Sequence, residues 1–357
     1  LLLLGQRLSL HHEALAGGSL DEAPRIEPRR LVLNVVRFTL QIEGLGAVLL
    51  YLLWLPRLGW REAAWPALFH SVSAFCNAGF STFSDSLLSF QESPVSLGVI
   101  MVLIVAGGIG FLTLEESYLY CGARRQKRGY RMSLHSRLVL ATTAALLIVG
   151  GLAFALMEWH GLLGKLPVVH RPINALFMSV TVRTAGFNNV DFVHASESSN
   201  FVAILLMMIG GSPGSTAGGV KTTTFALLGI LAWSRLLGHE VPCLAGRSLR
   251  QETTDRAVGL FVVAAAVVTT GILALMLFEE GTGGGRFLDR MFEAVSAFNT
   301  VGLSTGQTPQ LSTGGRWTVI VLMFLGRIGP FTLAAALARR AVGAERFRYA
   351  YEEVMVG

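Results

Sequence analysis

Apolar and polar positions run along this chain in long blocks, not at the short spacing of a soluble helix or strand. Six apolar stretches, at 31–55, 95–120, 138–157, 199–237, 257–278 and 315–338, dominate the pattern, and each approaches or exceeds the roughly 20 helical residues that cross a bilayer. Between the members of each successive pair lies a shorter, semi-apolar piece, at 64–78, 172–185 and 287–301. Pieces this short do not span and read as re-entrant segments. The stretch 199–237 is too long and too rich in glycine for one continuous helix, so a break is predicted inside it. The expected fold is an all-α membrane protein of tandem helix, re-entrant pore loop, helix repeats, three of them complete.

Each re-entrant piece ends in a similar tail: SVSAFCNAGFST at 71–82, SVTVRTAGFNN at 179–189 and AVSAFNTVGLST at 294–305. A lone glycine sits in each tail, Gly79, Gly186 and Gly302, at intervals of 107 and 116 residues. Non-helical backbone at membrane depth is tolerated only where protein buries it or where it lines a wet cavity. Three such segments in equivalent places can converge on one axis, where carbonyl oxygens replace the water shell of a cation. Glycine keeps that path free of side chains. The partly negative C-terminal end of each preceding short helix also favours a cation. Oxygen ligands without a carboxylate cluster suit a monovalent ion better than a divalent one. Taken singly, each glycine reads equally well as a helix-packing point or a tight turn; three in matched contexts favour the pore.

Composition agrees with this reading. Apolar residues make up 52% and charged residues 15% of the chain, with mean hydropathy +0.55, against about 25% charged in a soluble domain. The net charge of +6 is held in short blocks between apolar runs, which points to membrane topology and away from nucleic acid. One set of connections is basic: Arg25, Arg29 and Arg30; Arg124 to Arg131; Arg235 to Arg256; Arg339 to Arg348. The other set is sparse, with Arg57, Lys165 and Arg286 offset by Glu62, Glu158, Glu279 and Glu280. The basic set is expected in the cytoplasm. Every re-entrant segment then dips in from outside, and the C-terminus lies inside. Cys76, Cys121 and Cys243 offer neither a disulfide framework nor metal-ligand spacing. The opening LLLLGQRLSL reads as the end of an apolar helix, so the chain is expected to lack its natural start.

The break predicted in the fourth stretch falls on Gly210, Gly211, Ser212, Pro213, Gly214, Ser215, Thr216, Ala217, Gly218 and Gly219, a composition that cannot hold a regular helix. It lies below the glycine tails on the cytoplasmic side, where a loop would obstruct the path. Ser212, Ser215 and Thr216 are placed to satisfy freed backbone groups. The tract GSTAGGVKT misses a nucleotide P-loop by one residue and follows an apolar run, not a strand. A kink used only for packing is the plain alternative. Arg327 lies inside an apolar span, 25 positions past Gly302. A charge at that depth tends to face a wet cavity or a polar partner, and contact with carbonyls or hydroxyls of 210–219 is predicted. Snorkelling to the interface is the alternative. Arg183, three residues before Gly186, reads either as a brace behind the pore loop or as a vestibule charge. Glu115 and Glu116 are expected to pair with nearby arginines, His70 to be a packing residue, and Cys76 to contribute its carbonyl alone.

The tails CNAGFS, RTAGFN and NTVGLS resemble the pore loops of the Trk/Ktr/HKT superfamily of potassium transporters. GGIGF (107–111), IGGSPGSTAGGVKTTT (209–224) and LGRIGP (325–330) resemble the inner helices that follow those loops, and RYAYEEVMVG (348–357) resembles the end of the KtrB branch. The resemblance covers essentially the whole chain. It implies four repeats around a pseudo-fourfold pore, of which 31–121, 122–256 and 257–357 correspond to the second, third and fourth, and 1–30 to a remnant of the first. Three quarters of a filter would not coordinate a cation properly, so the chain is expected to be a piece of a working transporter. The resemblance further implies a selectivity filter of backbone carbonyls from Asn77, Ala78, Gly79 and Phe80, from Thr184, Ala185, Gly186 and Phe187, and from Thr300, Val301, Gly302 and Leu303. It makes 210–219 an intramembrane gate faced by Arg327. K⁺ is the implied cargo, with Na⁺ as a stimulating ion and no organic cofactor. The implied setting is the lipid of the inner plasma membrane, as a homodimer under a cytoplasmic nucleotide-binding ring of the KtrA kind. An ion-coupled secondary transporter of a small solute is the competing function, since it also uses broken helices, although these repeats all run in one sense. No nucleophile–base pair or metal spacing inside the spans supports an enzyme.

Overall fold

A computed structural model describes residues 28–239, 241–244, 247–280 and 285–328. The first-repeat remnant up to residue 27, the end of the sixth apolar stretch and the RYAYEEVMVG tail lie outside the described residues.

The chain forms three successive sets of outer helix, pore helix and inner helix. The first set is α1 (Pro28–Leu58), α2 (Ala64–Phe75), α3 (Pro94–Gly108) and α4 (Phe111–Arg125). The second is α5 (Leu134–Glu158), α6 (Arg171–Thr181), α7 (Glu197–Met207) and α8 (Thr222–Leu236). A short antiparallel pair, β1 (Cys243–Leu244) and β2 (Arg247–Ser248), precedes the third set. That set is α9 (Gln251–Phe278), α10 (Phe287–Phe298) and α11 (Thr313–Ile328).

The outer helices are long and apolar enough to cross a membrane over Val32–Leu58, Leu134–Glu158 and Gln251–Phe278. Their exposed residues are of the kind that faces lipid tails: Leu40, Leu45 and Val48 on α1, Ile148 and Leu152 on α5, Leu273 and Leu277 on α9. The pore helices have 12, 11 and 12 residues. At 1.5 Å per residue they are about 17–18 Å long, well short of a hydrocarbon core of about 30 Å. Each stops inside the protein, and the last turns of α6 and α10 are buried on every side, from Phe177 to Thr181 and from Phe292 to Phe298. Such all-round burial needs neighbours on all faces. One apolar core joins α1, α2 and α3 to Phe177, Val180 and Phe187 of the next repeat. A second joins α5, α6 and α7 to α9, α10 and α11. Adjacent repeats therefore share their cores.

Two expectations need correction. The stretch 95–120, read as one span, is instead α3 and α4 meeting at 109° across Ile109 and Gly110. Gly110 has φ +87°, and a Cβ there would lie 2.6 Å from the Pro213 carbonyl oxygen, so the turn and the close approach both require glycine. Hydropathy in a window averages over the bend and cannot register it. Glu115 and Glu116, expected to pair with arginines, have other partners. Glu115 accepts from Asn34 Nδ2 at 2.7 Å, and Glu116 accepts from Ser133 Oγ at 2.6 Å and from the Ser133 backbone N–H.

Two glutamates of the sparse connections stitch outer helix to inner helix. The Glu158 carboxylate accepts from the N–H groups of Leu162 at 3.0 Å and Ser196 at 2.9 Å. Glu279 accepts from the Ser312 N–H at 2.9 Å and its hydroxyl at 2.7 Å. Ser196 and Ser312 immediately precede α7 and α11, where unpaired N–H groups favour an anion.

Candidate functional site

The three glycine tails meet. Gly79, Gly186 and Gly302 have φ of +72°, +82° and +91°. Two residues earlier, Asn77, Thr184 and Thr300 also lie in the left-handed region, at +50°, +69° and +51°. The residue between each pair does not, and this alternation lets successive carbonyls turn to one side. Left-handed backbone at a non-glycine residue costs of order 1–3 kcal/mol and persists only where the surroundings impose it; here it recurs in all three repeats.

Close approach locates the axis. A Cβ on Gly79 would lie 2.5 Å from the Ala185 carbonyl oxygen and 2.9 Å from Gly186 Cα. One on Gly186 would overlap the Val301 carbonyl oxygen and lie 3.3 Å from Gly79 Cα. One on Gly302 would meet Gly186 Cα at 3.8 Å, and no other described atom within 4 Å. The glycines thus abut in chain order, with one side unfilled among the described residues. Asn77–Phe80, Thr184–Phe187 and Thr300–Leu303 come together as three strips. Within each strip the last carbonyl, of Phe80, Phe187 or Leu303, accepts a hydroxyl of its own pore helix. This leaves the carbonyls of the preceding three residues as the better candidates to face an ion.

Beneath the strips, 210–219 forms a loop between α7 and α8, with Ile209 and Val220 in an isolated parallel bridge. The loop fits into the α3–α4 bend. Ser212 N–H donates to the Gly108 carbonyl at 2.9 Å, Thr216 N–H to that of Gly107 at 3.2 Å, and Phe111 N–H to that of Gly214 at 3.2 Å. Backbone groups freed by two broken helices therefore satisfy each other. Ser212 Oγ pairs with Thr222 Oγ1 at 2.8 Å, and Ser215 Oγ accepts from Ala217 N–H at 3.3 Å. The Thr216 hydroxyl donates to the Phe75 carbonyl at 3.1 Å and accepts from Asn77 Nδ2 at 2.8 Å.

The loop also touches the glycine tail of its own repeat and the repeat that follows. Arg183, 8% exposed, donates from Nη2 to the Gly210 carbonyl at 3.3 Å. That bond goes to the 210–219 loop, not to the carbonyls behind Gly186 that a brace of the pore loop would hold. Gly218 and Gly219 pack on Asn299 and Thr300, so closely that a Cβ on either would overlap their side chains. Arg327 Nη1 donates to the Thr216 carbonyl at 3.1 Å, within the tract it was expected to contact. Lys221 Nζ donates to the neighbouring Ala217 carbonyl at 2.8 Å.

Sequence reading passed over Asn299, Lys221, Gly107 and Gly108 as partners of the loop. A signal existed for the first: aligning the three tails puts Cys76, Arg183 and Asn299 at one position, and two of these are polar in an apolar setting. It also passed over Glu43, an acid in the middle of the α1 span whose backbone carbonyl accepts from Ser71 Oγ at 2.7 Å. His70 is buried as a packing residue, between the Pro66 carbonyl and Ser81 Oγ, each at 2.8 Å.

Successive sets of long apolar helix, short buried helix and inner helix, with their glycine turns packed together, define a helical membrane transport protein. The chain belongs to the TrkH cation transport protein family, whose profile matches residues 20–342. It is 38% identical over 342 residues to Ktr system potassium uptake protein B of Vibrio alginolyticus, covering 95% of this chain and 73% of that protein. It is 38% identical over 332 residues to the potassium/sodium uptake protein NtpJ of Enterococcus hirae, covering 92% and 72%. The crystal structure of the potassium transporter TrkH from Vibrio parahaemolyticus shares the fold, with TM-score 0.68 at 23% identity over 87% of this chain. The chain spans 65% of that structure's length.

Proposed function

We propose that this protein carries potassium ions into the cell through a channel-like pore. The filter is the ring of carbonyls flanking Gly79, Gly186 and Gly302, and the gate is the loop 210–219 held by Arg327. The observation that carries this reading is the contact of the three glycines across one axis, each in left-handed backbone. A cation that sheds water there finds carbonyl oxygens and the negative ends of α2, α6 and α10. Below, the loop blocks the path, and the Arg327 guanidinium adds a positive charge that raises the barrier to a cation.

Sodium enters the proposal as a stimulating ion, in line with the potassium/sodium description of the Enterococcus relative. The protein works as a homodimer in the plasma membrane, with its C-terminus in the cytoplasm. A cytoplasmic nucleotide-binding ring controls it from the basic connections.

The test is rubidium tracer uptake by the intact protein in a bacterium stripped of its own potassium uptake systems, with and without sodium. Uptake above the vector control, competed by potassium, supports the reading. Protein present in the membrane without such uptake overturns it, and uptake of an organic solute instead would point to a secondary transporter.

A further inference from the structure

We infer that Ser73, Thr181 and Ser296 are specificity-determining residues of the pore, one in each pore helix, that hold the glycine strip to the geometry which favours potassium over sodium. This rests on the proposed transport function and names residues that act on the strip from behind.

Each of the three residues brackets its glycine with hydrogen bonds from its carbonyl and its hydroxyl. The backbone carbonyl of Ser73 accepts from Ala78 N–H at 2.8 Å, and its hydroxyl donates to the Phe80 carbonyl at 2.8 Å. The carbonyl of Thr181 accepts from Ala185 N–H at 3.0 Å and also from Gly186 N–H at 3.2 Å, and its hydroxyl donates to the Phe187 carbonyl at 2.7 Å. The carbonyl of Ser296 accepts from Val301 N–H at 2.9 Å, and its hydroxyl donates to the Leu303 carbonyl at 2.6 Å. One residue therefore ties down the residue before the glycine, through its N–H, and the residue after it, through its carbonyl. Neither bond takes the carbonyl of the glycine or of the residue preceding it.

The bracket follows the glycine, not the residue count. Ser73 and Ser296 lie six residues before their glycines, but in the middle set the interval is one residue shorter and Thr181 lies five before Gly186. The same two bonds form all the same. All three side chains are buried, so each hydroxyl works where water does not compete and where a lost partner leaves a carbonyl unsatisfied. Without the hydroxyl, the carbonyl of Phe80, Phe187 or Leu303 is free to swing, and the left-handed glycine loses the anchor on its C-terminal side. Discrimination between potassium and sodium depends on the size of the oxygen cage or on the number and freedom of its dipoles. Removing the bracket loosens both.

The experiment measures rubidium uptake and its competition by sodium in the intact protein, per molecule present in the membrane. The variants are S73A, T181V and S296A, with the hydroxyl-keeping swaps S73T, T181S and S296T alongside. One hydrogen bond of ordinary strength converts to about three- to tenfold in a ratio. The expected result is a fall of that size in the rubidium-over-sodium preference for each hydroxyl-less variant, carried mainly in KM, and recovery in the swaps. T181V is isosteric, and S73C and S296C preserve size with a weak donor, so a variant that fails to accumulate has a substitute. Unchanged preference in hydroxyl-less variants that only accumulate less would overturn the inference, as would failure of every hydroxyl-less variant to fold. Wild-type protein without rubidium uptake would instead refute the transport reading itself.

Discussion

Gly186→Ala tests the axis most directly, because the structure separates two costs of adding one methyl group. The first is backbone strain: at φ +82° an L side chain costs about 1–2 kcal/mol. The second is overlap of the new Cβ with the Val301 carbonyl oxygen, a backbone atom that no rotamer change can move aside. Two other glycines isolate the terms. Gly214 in the loop has φ +67° but open space around its Cβ position, so Gly214→Ala carries the strain alone. Gly98 in α3 has open space and ordinary helical backbone, and Gly98→Ala is neutral or gains about 0.5–1 kcal/mol. The assay is rubidium uptake with sodium competition, per molecule in the membrane. Gly98→Ala should match the wild type. Gly214→Ala should change uptake rate by roughly tenfold, since about 1.4 kcal/mol is a factor of ten, with ion preference intact. Gly186→Ala should lose the preference for rubidium, because the displaced carbonyl belongs to the neighbouring strip. If Gly186→Ala kept the wild-type preference, the three glycines would not be lining the ion path.

Removing the guanidinium with Arg327→Gln should raise the maximal uptake rate and alter its ion dependence, since the Thr216 carbonyl loses its charged partner; unchanged kinetics would take Arg327 out of the gate. Thr216→Val keeps the shape but loses the bonds to Phe75 and Asn77. At about 0.5–1.5 kcal/mol each, that loss should loosen the loop and raise the rate several-fold, with selectivity retained, as uptake and competition curves would reveal. Arg183→Gln should act in the same direction, through the loss of its bond to the Gly210 carbonyl, and a rate equal to wild type would argue that this brace is idle. Glu158→Gln leaves one of two N–H donors facing an amide N–H₂. It should destabilise the protein by about 1.5–3 kcal/mol, seen as a lower thermal midpoint in detergent with uptake per folded molecule unchanged.

Much of this architecture is legible in the order of residues. The bilayer permits few backbone solutions, so block length alone separates spanning helices from re-entrant ones, and α2, α6 and α10 begin and end close to the short apolar pieces. Gly-rich composition marked the interruption between α7 and α8, and the buried cost of a charge drew attention to Arg327. Contacts between distant segments are a different matter. That the 210–219 loop seats itself in the α3–α4 bend depends on hydrogen bonds between residues about a hundred positions apart, which no local pattern encodes. The same holds for the order in which Gly79, Gly186 and Gly302 touch, for Arg183 reaching Gly210, and for the serine and threonine brackets, whose spacing differs by one residue between repeats. Sequence alone marked the long apolar stretches, the short pieces between them and the glycine-rich break at 210–219, because those are local questions of length, polarity and backbone freedom. Only the tertiary structure decided which freed carbonyl meets which donor, because that follows from how the three repeats pack around their common axis.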